Sequence, residues 1–452
     1  MSYDFTADQY RKRREKLGQA IGEGRFALLP GSIGPAGEEK FTQSKDFYYL
    51  SGIEVPGAYL LIRGGDGRTS LFVPHATQVD PAKDDPIPCY ENAELAKKIS
   101  GVDEVLGVEQ LSQRLLRAFQ LYVLNEDDTV RGENRYHHTN QAARIASDPW
   151  DGRLTRATQL IDHIRRRFPH IEIHNLTPIM DELRSIKDPA ELARLRHAGR
   201  LTAQGVIEAI RSTAPGVYEY QLDAVMRYHF IAGGGFDRAY SSIIASGSNI
   251  LYPHYNAIDQ RLESGDWVLG DSAADFQYYV SDIGRMWPVD GVYSPEQRSL
   301  YGYVVEYHKV MLDCVRPGRS VDEIHNETAE RMRDIYNSWE FANSLHKETA
   351  ELMFTFTGHV SHAVGLNVHE GFSLFGRSNH YSRPLEPGMV LSIDPTIDAR
   401  DRGIYVRIED TVAITEDGIE NLTVAAPTEL DDVEALMQEE GVLQSFPPTM
   451  PE

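Results

Sequence analysis

Leu262-Glu263-Ser264-Gly265-Asp266-Trp267-Val268-Leu269-Gly270-Asp271 and Leu385-Glu386-Pro387-Gly388-Met389-Val390-Leu391-Ser392-Ile393-Asp394 are two versions of one phrase. Each opens on Leu-Glu-x-Gly, passes through a short apolar run and ends on an aspartate nine residues after its leucine. After each aspartate come a turn and a second strand-like stretch with another carboxylate, Asp282 in the first copy and Glu409 in the second. The echo predicts two similar β-units related by a pseudo-two-fold, each bringing two carboxylates to a shared site. Leu-Glu-x-Gly is also a common way into a turn, so coincidence stays open at this point.

Strand alternation sharpens the reading. Read as one strand, 276–283 puts Asp282 on the face of Val280 and Tyr278, and 404–414 puts Arg407 and Glu409 on one face with Val406 and Ile408 on the other. A carboxylate buried among such neighbours is costly unless it is paired or holds a metal. Arg407 offers Glu409 a purely structural ion pair, which is the plainer alternative. Histidines lie close by in Gly358-His359-Val360-Ser361-His362 and again at His369-Glu370. A lone histidine in such a segment is more often a hydrogen-bonded core residue, but four in-strand carboxylates in search of counter-charge favour a ligand. The set Asp271, Asp282, His362, Asp394 and Glu409 is hard and oxygen-rich, and suits two divalent cations. Mn²⁺ comes foremost, with Co²⁺, Zn²⁺ or Mg²⁺ as alternatives. Two such ions side by side hold a bridging hydroxide at neutral pH and polarise the carbonyl it attacks, so the implied chemistry is hydrolysis.

Outward from this core, the 452-residue chain is too long for one ordinary core and reads as two domains. The Asp188-Pro189-Ala190-Glu191 phrase is a capped helix start with proline at the first helical position. The domain boundary therefore falls between Asn175 and Asp188, giving 1–176 and 177–452. Ser294 and Ser320 open two further helices by the same chemistry. In the first domain a helix at 8–21, a strand at 26–29 and a hairpin of 58–62 with 69–73 lead into alternating helical and strand-like segments, an α/β pattern. The polar stretch 125–152 reads as a long surface loop. In the second domain strands are expected at 240–245, 267–269, 276–283, 389–393 and 404–414, for an α+β chain overall.

Composition bounds the partners. With 41% apolar and 25% charged residues, disorder is expected only in the tail from about Phe446. A net charge of −23 argues against nucleic acid and against an anionic membrane surface. Cys89 and Cys314 lie far apart without CxxC spacing and read as reduced thiols. The start of the chain lacks an apolar leader core, and no run approaches the ~18 residues of a membrane span. A cytoplasmic address follows.

These motifs resemble the pita-bread metallopeptidases, among them aminopeptidase P, prolidase and methionine aminopeptidase, with aminopeptidase P the nearest. The Asp271 and Asp282 pair, eleven apart, with Ser281-Asp282-Ile283-Gly284-Arg285, fits that family. So do His362 and His369, seven apart, Met389-Val390-Leu391-Ser392-Ile393-Asp394-Pro395, and Arg407-Ile408-Glu409-Asp410. Leu183-Arg184-Ser185-Ile186-Lys187-Asp188-Pro189 is similar to the family's domain junction, Ser44 to Gly52 to its N-terminal domain, and Glu420-Asn421-Leu422-Thr423 to its closing segment. The resemblance implies a C-terminal pita-bread fold behind an α/β N-terminal domain. It implies that Asp271, Asp282 and Glu409 bridge or chelate both metals while His362 and Asp394 complete one. His254 would lie near the proline side of the substrate, His369 would hydrogen-bond the scissile carbonyl or its tetrahedral intermediate, and Arg407 would orient ligands or substrate.

The implied substrate is a peptide with proline second, and the implied assembly a homo-oligomer, dimer or tetramer. The chain departs from the pattern at Asp394 (family Glu), Asp398 (family Tyr), Gly358 (family His, with His359 beside it) and Thr396 (family Gly). The alternatives are an Xaa-Pro dipeptidase, a hydrolase of another small amide, a metal-free creatinase-like enzyme and a non-catalytic binding module.

Overall fold

The computed structural model describes residues 4–34, 40–79, 87–131, 135–355, 360–371 and 382–448. Two compact units divide at Arg184 and Ser185, so the Thr177–Ser185 helix belongs with the first.

The first unit is built on a mixed sheet of β1 (Arg25–Pro30), β2 (Tyr59–Arg63), β3 (Thr69–Val73), β4 (Glu104–Gly107), β5 (Gln120–Val123) and β6 (Glu172–Asn175), in the order β4-β3-β2-β1-β5-β6. The β1–β2 and β2–β3 pairs are antiparallel, the other three parallel. Leu28, Leu61, Phe72, Leu121 and Val123 pack on Ile164 and Phe168 as its core. Ser44 to Gly52 forms a helix, Lys45–Ser51, with Gly52 at φ 64 as its C-cap.

The stretch 125–152 is not the uniform loop its polarity predicts. It contains a 13-residue helix, Arg135–Ser147, favoured by Gln141-Ala142-Ala143-Arg144 rather than by apolar periodicity. Asp127 and Asp128 cap two other helices, accepting from Ala157 N (2.6 Å) and Asp46 N (2.9 Å). Polar residues were employed as caps, which composition alone hides.

The second unit begins with the Pro189–Arg211 helix, whose Asp188 accepts from Ala190 N and Glu191 N while Glu191 bonds back to Asp188 N. The Glu219–Ala232 helix follows. Then come β7 (Asp237–Arg238), β8 (Ile243–Ser246), β9 (Trp267–Asp271), β10 (Ala274–Phe276), β11 (Tyr279–Val280) and β12 (Ile283–Pro288). A second helix pair, Pro295–Cys314 and Val321–Ser338, starts at the capping boxes of Ser294 and Ser320. It precedes β13 (Ser361–Ala363), β14 (Val390–Ile393), β15 (Thr396–Ala399), β16 (Ile404–Arg407), β17 (Glu409–Ile414) and β18 (Ile419–Asn421).

The main sheet runs β13-β14-β17-β12-β9-β8, with β18 added to β17. That order is a palindrome about the β17–β12 pair. Each half supplies two helices, an outer strand, a strand ending beside an aspartate, a short two-strand excursion and a central strand. Gly265 and Gly388, the glycines of the two echoed phrases, both sit at φ 92, where a side chain would be strained. The sequence echo is therefore a structural repeat, and the fold is the α+β pita-bread architecture, preceded in the chain by a unit with a mixed sheet.

Two expected strands are broken. The 276–283 stretch turns at Gln277 (φ 49) and Tyr278 (φ 73), where Asp275 accepts from Tyr278 N at 3.0 Å. Tyr278, Val280 and Asp282 therefore share no strand face. The 404–414 stretch changes partners at Ile408: β16 pairs with β15, while β17 joins β14 and β12. Local alternation cannot foresee a change of partner.

Candidate metal centre

All five predicted ligand positions are buried in the second unit. Asp271 ends β9 and Asp394 follows β14, the equivalent points of the two repeats. Glu409 starts β17. His362 is central in β13, opposite Ser392. Asp282 lies between β11 and β12, in no strand, and the Thr411 hydroxyl locks it by accepting from its N–H (2.8 Å) and donating to its carbonyl (2.7 Å).

His362 Nε2 stands 3.4 Å from an Asp282 oxygen and 3.4 Å from a Glu409 oxygen. Ligand atoms of these three residues all lie within 4.8 Å of one another. Asp271 and Asp394 stand outside that trio but are tied to it. The Tyr240 hydroxyl is within hydrogen-bond reach of both Asp271 (2.6 Å) and Asp282. Arg407 pairs with Asp271 and brings its Nε to 3.8 Å from Asp394. The Ser392 hydroxyl donates to Glu409.

The electrostatics are those of too many acids in a dry place. Burial, reinforced by Glu409, pushes the Asp282 carboxyl up to about 7. Burial also raises Asp271 against the pull of Arg407, and raises Asp394 further, with Glu409 adding. Glu409 moves the other way, down to about 2: burial opposes its charge, but His362, Arg407 and Ser392 outweigh it. His362 rises to about 10 because Asp282 and Glu409 hold its proton against burial. Arg407 Nε is buried without a hydrogen-bond partner among the described residues. Converging buried oxygens, a nearby imidazole and a shortage of positive charge fit divalent cations with hard ligands.

Of the predicted substrate-facing residues, Arg407 and His369 touch this cluster and His254 lies within electrostatic range of Asp271 and Arg407. His369 meets His362 edge-on, ring centres 4.3 Å apart. His254 is exposed but lodged deeply enough for desolvation to lower its pKa, with Asp271 opposing and Arg407 reinforcing the shift. Asp398 is turned to Arg400 in a two-point ion pair at 2.7 and 2.9 Å. Gly358 and His359 lie outside the described residues. Sequence reasoning missed Tyr240, Ser392 and Thr411. Thr411 shares a strand face with Glu409, so alternation offered a signal for it; nothing local marks Tyr240.

Comparison with known proteins adds to this geometry. Residues 193–416 match metallopeptidase family M24, and residues 10–122 match the aminopeptidase P N-terminal domain. The chain is 30% identical over 461 aligned residues to the Xaa-Pro aminopeptidase of Escherichia coli (strain K12), covering 96% of this chain and 98% of that protein. It is 27% identical to the mitochondrial intermediate cleaving peptidase 55 of Arabidopsis thaliana, over 95% of this chain and 83% of that one. Zinc-substituted E. coli aminopeptidase P in complex with product superposes with a TM-score of 0.74 at 27% identity, covering 96% and 99%.

Proposed function

This chain belongs to the aminopeptidase P family of metallopeptidases, and we propose that it releases the N-terminal residue of peptides whose second residue is proline. It is a metal-dependent hydrolase by family. The observation that carries the finer reading is the convergence of Asp282, His362 and Glu409 on one buried point, with Asp271 and Asp394 alongside.

In this reading Asp271, Asp282, His362, Asp394 and Glu409 would hold two divalent cations, Mn²⁺ foremost. Bound cations supply the Lewis acidity that makes water a nucleophile at neutral pH and polarises the scissile carbonyl. The chain's own groups do the rest. Arg407, charged at every working pH, holds Asp271 and faces Asp394, which keeps both carboxylates aimed. His369, braced against His362, donates to the developing oxyanion, a contact worth a few kcal/mol at about 10²–10³ in rate. Desolvation lowers the His254 pKa, which favours its neutral form, and His254 meets the proline side of the substrate. Asp394, one methylene shorter than the family's usual residue, would reach less far toward a cation, so metal affinity on its side would be lower.

A cytoplasmic address is part of the proposal, supported by two buried free thiols, Cys89 and Cys314. A homo-oligomer is proposed as well, supported by exposed Phe119, Trp150, Tyr228 and Ile231. No helix among the described residues is long and apolar enough to cross a membrane.

The test is to strip metal with a chelator and assay an Xaa-Pro-containing tripeptide and an Xaa-Pro dipeptide before and after Mn²⁺ is restored. Mn²⁺-dependent cleavage of the tripeptide, with the dipeptide slower, is expected. Preference for the dipeptide would move the assignment to a dipeptidase, failure on both to another small amide, and full activity without metal to a creatinase-like enzyme.

A further inference from the structure

Glu219 is the first residue of the Glu219–Ala232 helix, and its side chain is fully buried. Five hydrogen bonds reach its carboxylate, all from neutral donors within residues 246–260. One oxygen accepts from Ser246 N (2.7 Å), Ser246 Oγ (2.8 Å) and Asn249 Nδ2 (3.3 Å). The other accepts from Tyr255 Oη (2.9 Å) and Gln260 N (3.0 Å). The Glu219 backbone N–H donates to Gln260 O at 3.0 Å, and an antiparallel bridge between Tyr218 and Arg261 closes the far end.

The segment enclosed by these bonds leaves β8, makes the short Gly247–Leu251 turn and then carries His254. It is not a relaxed loop. Ile258 sits at φ 46, a conformation a β-branched residue holds only when its surroundings enforce it. Both ends of the segment and Tyr255, the immediate neighbour of His254, are fastened to the same carboxylate.

We propose that Glu219 is a positioning residue, the buried anchor that holds the 246–260 loop and so sets the imidazole of His254 at the mouth of the metal centre. The proposal rests on the reading that His254 contacts substrate. A carboxylate suits the task because it only accepts, so the five donors share the lone pairs of its two oxygens without any opposing N–H. Glutamine in its place accepts at one oxygen only and turns an NH₂ against donors.

The experiment compares full-length, Mn²⁺-loaded H254A, E219Q, the E219Q/H254A double variant and Y255F on the Xaa-Pro tripeptide, alongside amide hydrogen exchange. H254A is expected to lower kcat/KM about tenfold or more. E219Q should approach that loss mainly through KM, because a misplaced contact costs up to about 100-fold. The double variant should fall no lower than H254A, within about twofold. Exchange across 247–260 should quicken about tenfold in E219Q while the 189–211 helix is unchanged. Y255F removes one donor and should shift KM and exchange less, in the same direction; it decides the matter if E219Q does not fold. Native kinetics and exchange in E219Q, or losses that multiply in the double variant, would overturn the proposal. If H254A turns over like the native protein, the substrate role of His254 falls instead, and Glu219 as anchor is judged by exchange alone.

Discussion

Glu409 and Asp410 are neighbours on one strand, yet they look to opposite sides of the sheet and into opposite electrostatic worlds. Asp410 is paired at 2.7 Å with Arg285, accepts from the Thr423 hydroxyl and faces His308 at 3.6 Å. Burial works against its charge, but Arg285 and His308 hold its pKa below the ordinary value. Arg285 also donates to the carbonyls of Glu409, Ala426 and Pro427, so this side is closed by the chain itself. Glu409 shares its side with three more carboxylates, and burial lifts all three. One guanidinium and one imidazole do not balance them. Asp410 has its counter-charge from the chain itself in Arg285, although its Oδ2 is buried without a hydrogen-bond partner among the described residues; the metal-centre side balances only with positive charge from outside.

The contrast can be broken in several ways. The largest expected effect is that of Asp282→Asn, which should cut kcat by about 10³-fold or more with an unchanged circular dichroism spectrum, since it removes a charge aimed at the reaction centre. Near-native turnover by that variant would erase the distinction between the two sides. On the closed side, Asp410→Asn should cost about 3 kcal/mol of stability in urea unfolding, because Arg285 is left buried without its anion. A negligible loss there would mean that the pair contributes nothing the chain needs.

The metal-free protein offers a third test. A carboxyl raised to about 7 in the folded state favours the folded form at low pH and withdraws that support as pH climbs through 7. Chelated native protein should therefore lose thermal stability, relative to Asp282→Asn, between about pH 4 and pH 7. Saturating Mn²⁺ should remove this pH-dependent loss from the native protein, because a bound cation holds the carboxyl ionised. An identical pH slope in both proteins would show that burial does not strain this carboxyl. The smallest effect belongs to Tyr240→Phe, which removes the hydroxyl between Asp271 and Asp282 and should cost the metal-free protein about 1–2 kcal/mol. A stability gain would mean that the hydroxyl crowds the carboxylates instead of tying them.

Much of this was legible before any coordinates. The paired Leu-Glu-x-Gly phrases marked the repeat because each needs a glycine at φ 92 and an aspartate where a strand ends. The capping boxes at Asp188, Ser294 and Ser320 marked helix starts because a few neighbouring residues settle that geometry. What failed was reasoning that carried a strand past a point where its partner changes. The turn at Gln277 and Tyr278 and the switch at Ile408 depend on which strand lies alongside. The helix at 135–147 was hidden by its lack of apolar periodicity.

The chain by itself therefore determined the repeat, the helix starts and the acidic and imidazole groups available for a metal, all properties of residue type and short-range spacing. Only the tertiary structure decided which acids share a pocket and which is neutralised behind the sheet. It alone brought Tyr240 between Asp271 and Asp282, Thr411 onto the backbone of Asp282, and the 246–260 loop onto Glu219. Those contacts join residues tens to more than a hundred positions apart. Their energies depend on burial and mutual distance, which local sequence does not encode.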